Sequence, residues 1–402
     1  MPWEEVHPLD RRIELIKACE SGCFTVVELA EQFCVSRKTA YKWIHRHEAN
    51  GPAGLAELSR APHSCPHRTP AYIENELLAL RRRHRTWGPR KLLVVLAQKY
   101  PSLQESEKLP AASTVGDMLK RAGLVEKRRR RIKPGDHDSV PLCAPEPNDV
   151  WCADFKGEFL TKDALWCYPF TLTDAHSRFL LGCDAKYSVE HVGAQQIGAQ
   201  QSCERIFAQV GLPRAIRTDN GCPFCSTAIA GLSRLSVWWM KLGIVHQRIE
   251  RGKPQQNGRH ERMHRTLKAE TTRPPAQNLI LQQERFDRFL KEYNQERPHE
   301  ALGMQTPGSV WCPSSRALPA EVKDLEYPGH WVVKRVDQTG TLNFRGKTYH
   351  LSGVLAHERI ALEEVDDGIW SVLFYNTLLG RLDERTLRIV HAPPTPQVGA
   401  HR

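Results

Sequence analysis

The period of the apolar residues changes twice along this chain, and each change confines a stretch to a different class of fold. Up to about residue 133 they recur at helical spacing. From Val150 strand-length apolar runs alternate with helical stretches, and beyond Pro313 only strand-length runs remain, broken by Gly and Asp. The two early joints are marked in the composition: residues 51–71 are rich in Pro, Gly and His, and Lys133 to Asp149 carries four prolines. At 402 residues the chain exceeds one hydrophobic core, so the joints read as domain boundaries. The expected layout is a helix-turn-helix domain at 1–50, a linker at 51–71 and a second helical DNA-binding module with a basic arm at 72–133. A linker at 134–148, an α/β core at 149–312, a small β-barrel at 313–391 and a disordered tail at 392–402 follow.

Thr25 to His47, TVVELAEQFCVSRKTAYKWIHRH, holds two short helical segments joined at Phe33-Cys34-Val35, with Ser36 placed to cap the second and Ala30 small where helices must cross. This is a helix-turn-helix pattern, whose second helix would enter a major groove with Arg37, Lys38, Thr39 and Lys42 available for phosphates or base edges. Cys34 stands where Gly is the commoner turn residue. Further helices are expected at Ile73 to Arg85, Pro89 to Lys99 and Ala112 to Ala122. Arg128, Arg129, Arg130 and Arg131 then form the basic arm. The charge agrees with double-stranded DNA as partner: of a formal net charge of +11, residues 1–135 hold 25 Lys and Arg against 15 Asp and Glu, leaving 32 against 31 for the rest.

Other classes are disfavoured by what the sequence lacks. No apolar run approaches the ~20 residues of a membrane helix, and the N-terminal MPWEEVHPLD lacks the basic start and apolar core of a secretory signal. A cytoplasmic, nucleoid-associated protein without a membrane partner is therefore expected. Twelve cysteines without regular spacing read as reduced thiols, and neither Cys222-Pro-Phe-Cys225 nor His63-Ser-Cys65-Pro-His67 completes the four-ligand spacing of a structural zinc site.

Three acids of the middle stretch stand out. Asp154 lies inside an apolar aromatic strand, W-C-A-D-F, where a carboxylate is costly unless paired or at a strand end. Asp219 closes a strand just before Asn-Gly, at the carboxyl edge where α/β folds collect ligands. Glu261 lies one turn into a helix entered through P-x-x-N-G. Converging carboxylates at ~4 Å would repel by about 4 kcal/mol per pair at an effective dielectric of 20, so a cation must sit among them. All-oxygen ligation favours Mg²⁺ or Mn²⁺, and two such ions about 3.5 to 4 Å apart suit phosphodiester cleavage and transfer. Arg265 and Lys268, four and seven residues after Glu261, share its helical face and could hold DNA phosphates.

In chain order, W-C-A-D154-F, L-T-D174-A-H-S-R, R-T-D219-N-G, P-Q-Q-N257-G-R-H-E261-R-M-H-R-T-L-K and Y293-N-Q-E-R-P-H-E-A-L resemble the integrase-core transposases of insertion sequences, above all the insertion-sequence 481 group related to retroviral integrases. The resemblance is strong over about residues 150–311. It implies a ribonuclease-H-like core with Asp154, Asp219 and Glu261 as a metal-binding acidic triad. It also implies strand cleavage at element ends, attack of the freed 3′-hydroxyl on target DNA, and a homodimer or higher synaptic assembly. Family members commonly keep a shorter stretch than the 41 residues found here between the second Asp and the Glu. Read strictly, that spacing lands on Gln255, which is no acid, so Glu261 is kept, with Glu250 and Glu270 as fallbacks and Ile229 to Lys241 as the place of the extra residues. The competing reading is a domesticated helix-turn-helix regulator that binds DNA without catalysis.

Overall fold

The computed structural model describes residues 8–58, 68–105, 109–125, 143–155, 157–188, 198–250, 252–322, 324, 326–386 and 388–392. They divide into two compact units, Met1–Arg68 and Thr69–Arg402. The basic arm Arg128, Arg129, Arg130 and Arg131, the His63 to His67 cluster and the tail lie outside the described residues.

The first unit is α1 (Pro8–Glu20), α2 (Val26–Gln32) and α3 (Arg37–Asn50). Its core is Leu15, Ile16, Ala30, Ala40, Trp43, Ile44 and Leu55. Thr25 and Glu28 form a reciprocal capping box on α2, and the Ser36 hydroxyl accepts from Thr39 N at 3.2 Å, capping α3 as the sequence suggests. Cys34 adopts φ 51, the left-handed conformation for which Gly would be the usual choice. The sequence reading had two helices here; α1 adds the third wall of the core.

The second unit opens with α4 (Ala71–Arg83), α5 (Pro89–Lys99), α6 (Pro101–Glu105) and α7 (Ala112–Arg121), packed on Ile73, Leu77, Trp87, Leu92 and Leu96. The central layer follows: β1 (Val150–Phe155), β2 (Phe159–Leu160), β3 (Trp166–Asp174), β4 (Leu180–Lys186), α8 (Gly198–Val210), β5 (Ala215–Thr218), α9 (Arg234–Lys241), β6 (Val245–Arg248), α10 (Gly258–Thr271), α11 (Leu279–Gln295) and α12 (Pro307–Val310). The main path of the sheet runs β2-β3-β1-β5-β6, with β4 also paired to β3. The β1–β3 and β3–β4 pairs are antiparallel, whereas β1–β5 and β5–β6 are parallel. One sheet face, through Trp151, Ala153, Phe170, Leu172 and Ile216, packs on α8 and α9. The other packs on α10 and α11 through Cys167, Leu180 and Cys183 against Met263, Leu267 and Phe286. This is the layered α/β core that the change of period at Val150 implies.

At the C-terminus are β7 (Val332–Arg335), β8 (Thr341–Phe344), β9 (Lys347–His350), β10 (Arg359–Asp366), β11 (Ile369–Phe374), β12 (Thr377–Asp383) and β13 (Arg388–His391). The expected small barrel appears as an antiparallel sheet that is not shown closed. Five strands form an antiparallel sheet ordered β13-β12-β11-β10-β7, β8 and β9 pair separately, and among the described residues no ladder joins the edges. The apolar face is covered another way. Leu342, Phe344 and Tyr349 of the hairpin, with Ile229, Leu232, Val237 and Met240 from the stretch around α9, fill one core with the sheet, so burial does not require closure.

Candidate active site

Side chains at paired positions of adjacent strands share a sheet face. Asp154 is opposite Thr171, and Cys152 is opposite both Thr173 and Arg217, so these five residues face α10 and α11. Continuing the β1–β5 offset by two residues brings Asp154 level with Asp219, which directly follows β5. Asp154 lies near the carboxyl end of β1, and Asp219 directly follows β5, its parallel neighbour.

Asp219 is half-buried, and its Oδ1 accepts the Gly221 N–H at 3.0 Å. A Cβ at Gly221 would stand 3.1 Å from Asp219 Oδ2, close enough that the carboxylate would have to shift by a few tenths of an ångström. Asn220 Nδ2 donates to Ile249 O at 2.8 Å, tying the Asp-Asn-Gly turn to the end of β6. Behind it the buried His246 ring meets the Thr218 hydroxyl at 2.9 Å. Burial first, and Arg248 second, push that imidazole down to about 3.

Helix α10 lies across this face because its apolar and aromatic positions recur at helical spacing. His260, Met263, His264 and Leu267 point inward, and Glu261, Arg262, Arg265 and Lys268 are exposed. His260 contacts Thr171 Oγ1 at 2.8 Å through Nε2 and Thr173 Oγ1 at 2.7 Å through Nδ1. His264 Nε2 lies 2.6 Å from Thr171 Oγ1, and its Nδ1 lies 3.5 Å from Asp154 Oδ2. Glu261 is therefore one residue from a histidine pinned to β3 and three from a histidine facing Asp154. Among the described residues, the ligand atoms that come within 4.8 Å of one another belong to Asp154, His260 and His264; the three acids together do not reach that distance. The helix enters through a 3-10 turn at Pro254–Asn257, and the Asn257 side-chain oxygen is buried with no hydrogen-bond partner.

The fallback acids are engaged elsewhere. Glu250 pairs with Lys253 at 2.6 Å and Gln256 at 2.8 Å. Glu270 accepts from Arg297 at 3.0 Å and from the Thr86 hydroxyl, nine residues beyond Glu261 on α10. Asp174 is structural: Oδ1 accepts Asn148 N–H at 2.8 Å and Oδ2 accepts Ser177 N–H at 2.7 Å. Burial first, and Arg259 second, hold the Arg178 guanidinium below its ordinary range, so two cations crowd the exit of β3. In the first unit Arg37, Lys38 and Lys42 are exposed on α3, whereas Thr39 is half-buried, its hydroxyl 2.8 Å from that of Ser36.

His260, His264, Thr171 and Thr173 were missed in the sequence. The only signal was the H-x-x-x-H spacing around Glu261, which puts both imidazoles on one face of the helix, with the acid at the edge of that face.

The chain matches the Integrase core domain family over residues 144–254 and again over 242–307. It matches the IS481 family transposase, C-terminal domain over 331–389, a Helix-turn-helix domain over 11–63 and a Homeodomain-like domain over 39–119. An uncharacterized 39.2 kDa protein of insertion element IS476 from Xanthomonas euvesicatoria is 30% identical over 264 residues, spanning 63% of this chain and 69% of that protein. An uncharacterized 31.7 kDa protein of insertion element IS407 from Burkholderia multivorans is 26% identical over 269 residues, spanning 63% of this chain and 87% of that one. Among solved structures, the HTLV-2 integrase catalytic core domain in complex with magnesium is similar at 17% identity, covering 42% of this chain and 99% of that chain with a TM-score of 0.33.

Proposed function

The chain belongs to the IS481 family of integrase-core transposases, and on that premise we propose that it binds the terminal inverted repeats of its element, cuts DNA strands there and joins the freed 3′-hydroxyl to target DNA. The observation that carries this reading is the approach of α10, which holds Glu261, to Asp154, since His264 Nδ1 lies 3.5 Å from Asp154 Oδ2, while Asp219 directly follows β5, the parallel neighbour of β1.

The residues present fit a hard divalent cation. The three acids offer only oxygen, the Gly221 position leaves the Asp219 carboxylate room, and the buried Asn257 oxygen is a further donor one turn before Glu261. Mg²⁺ or Mn²⁺, as two ions in our reading, supplies activation of the attacking oxygen and stabilisation of the leaving one. Asp154, Asp219 and Glu261 would hold it. Arg259, Arg262, Arg265 and Lys268 on α10 keep the surrounding field positive and would seat the DNA backbone, a task for which long exposed cations suffice. Arg37, Lys38 and Lys42 of α3 would read the duplex, with Thr39 serving the helix cap. Joining two ends requires two such sites, so a homodimer or higher synaptic assembly is the working form.

Replacing Asp154 or Asp219 by Asn, or Glu261 by Gln, should leave end binding in a gel-shift assay intact and abolish Mg²⁺-dependent cleavage and joining. Joining retained in all three variants would overturn the reading. End binding by the wild type with no nick at all would instead favour a regulator, and cleavage without strand transfer a nuclease.

A further inference from the structure

We propose that Arg178, Arg259 and Arg262 form one site for a DNA phosphate, within about four nucleotides of the phosphate that reacts at the acids. The proposal rests on the reading of Asp154 and Glu261 as catalytic acids. Arg178 closes the stretch Asp174-Ala-His-Ser-Arg178, in the turn between β3 and β4. Its backbone adopts φ 65, a left-handed conformation that Gly or Asn takes more readily, so the turn alone gives no reason for an arginine. The side chain is half-buried, and its Nε is buried with no hydrogen-bond partner. A donor in that state is costly, and an anionic oxygen would satisfy it.

Two exposed arginines of α10 converge on the same turn. Arg259 Nη1 donates to Ala175 O at 3.2 Å, and Arg262 lies three residues further along the helix, on the same face. Burial first, then Arg259, hold the Arg178 guanidinium below its ordinary range, and Arg262 adds to the effect, so other cations crowd it. The turn is held in place from its far side. Asn294 of α11 accepts from Leu180 N at 2.8 Å and donates to Leu180 O at 2.9 Å, fixing the chain two residues after Arg178. Three guanidinium groups gathered this way suit a phosphodiester, whose two unesterified oxygens match their fork. The strand that supplies it follows from the placement. Ala175 N–H bonds to Val150 O at 2.9 Å, and Val150 is four residues before Asp154, roughly 13 Å along β1. Phosphates of one strand advance ~3.4 Å each along a duplex, so a strand reacting at Asp154 carries a phosphate past this turn within about four nucleotides. Since α10 also carries Glu261, the two phosphates are held from one helix.

The test is a double-substitution cycle on the full-length protein and a pre-cut element end, read by gel shift without divalent metal. Single phosphates along the end are replaced in turn by uncharged methylphosphonate. In the wild type one replacement near the reacting 3′ end should weaken binding roughly 10-fold, the loss of one charge-assisted contact. In Arg178→Gln that same replacement should cost nothing further, while replacements elsewhere keep their wild-type effect. Arg178→Lys keeps the charge without the fork and should show about a threefold effect at that phosphate, which decides the matter if Gln unfolds the protein. Variants that keep the wild-type loss at every phosphate would overturn the proposal, as would coupling only at a phosphate remote from the reacting end. The proposed function fails separately: a wild type that binds the end and never joins it in Mg²⁺ loses that reading, while the cycle still reports whether Arg178 holds a phosphate.

Discussion

Single residues carry the chemistry proposed here, and their neighbours set its tolerance. Asp219 depends on the absence of a side chain at Gly221, where a Cβ would stand 3.1 Å from one carboxylate oxygen and 3.4 Å from the other. Gly221→Ala should therefore displace that carboxylate by a few tenths of an ångström and lower Mg²⁺-dependent joining roughly tenfold, since small misplacements of reacting groups are costly. The thermal midpoint should barely move; a variant as active as wild type would show that Asp219 has slack. The sequence singles out Asp154 and Asp219 because a carboxylate is costly inside an apolar strand and because a strand end in an α/β fold is where ligands collect. The histidines were not legible there. Their partners Thr171 and Thr173 lie about ninety residues away in sequence, and a buried imidazole bonded to hydroxyls leaves no local trace.

At the level of elements, local propensity served well where it acted alone. Pro89–Lys99 and Ala215–Thr218 form as the Pro start and the apolar run indicate. Where tertiary contacts decide, the sequence misled. The apolar run over Ser226 to Lys241 suits one helix, yet it forms a 3-10 turn at Ile229–Gly231 and α9, because Ile229, Leu232, Val237 and Met240 turn toward the C-terminal sheet. This is the stretch where the long Asp219 to Glu261 spacing suggested extra residues, and it forms the platform on which that sheet packs. β12 and β13 are hard to read from sequence, because Gly380, Arg381 and the short Arg388–His391 run blur their alternation. The helix-turn-helix offers a clean test of a local device. Ser36→Ala removes the cap of α3 and should cost about 1 kcal/mol, read as reduced hydrogen-exchange protection of α3 amides with weaker end binding. Unchanged protection would mean that packing on Trp43 and Ile44 alone holds the helix.

Across the whole molecule, the second helical module is built onto the core. The buried His84 ring, stacked 3.8 Å from Trp87, meets Glu292 at 2.6 Å, and Arg297 joins Glu270 at 3.0 Å. Glu292 lies on α11, and at the far end of α10 Glu270 also accepts from the Thr86 hydroxyl of the helical module. Acid should undo this packing in a defined window. Burial pushes both His246 and His299 down to about 3 from an ordinary 6.5. The unfolded chain takes up protons near 6.5 while the folded one does not. Their contribution is therefore complete above about 6.5 and is lost as pH falls toward 3. Urea midpoints at pH 7, 5 and 4 should fall more steeply for the wild type than for His246→Gln or His299→Gln; equal slopes would contradict the burial argument. The central claim is that Glu261, and no other glutamate of this helix, completes the site with Asp154 and Asp219. Joining of a pre-cut element end to plasmid DNA in Mg²⁺ tests it most directly, with Glu261→Gln and Glu270→Gln side by side. The account predicts that Glu261→Gln falls to the no-protein background while Glu270→Gln still joins; joining by Glu261→Gln at the wild-type level would contradict it.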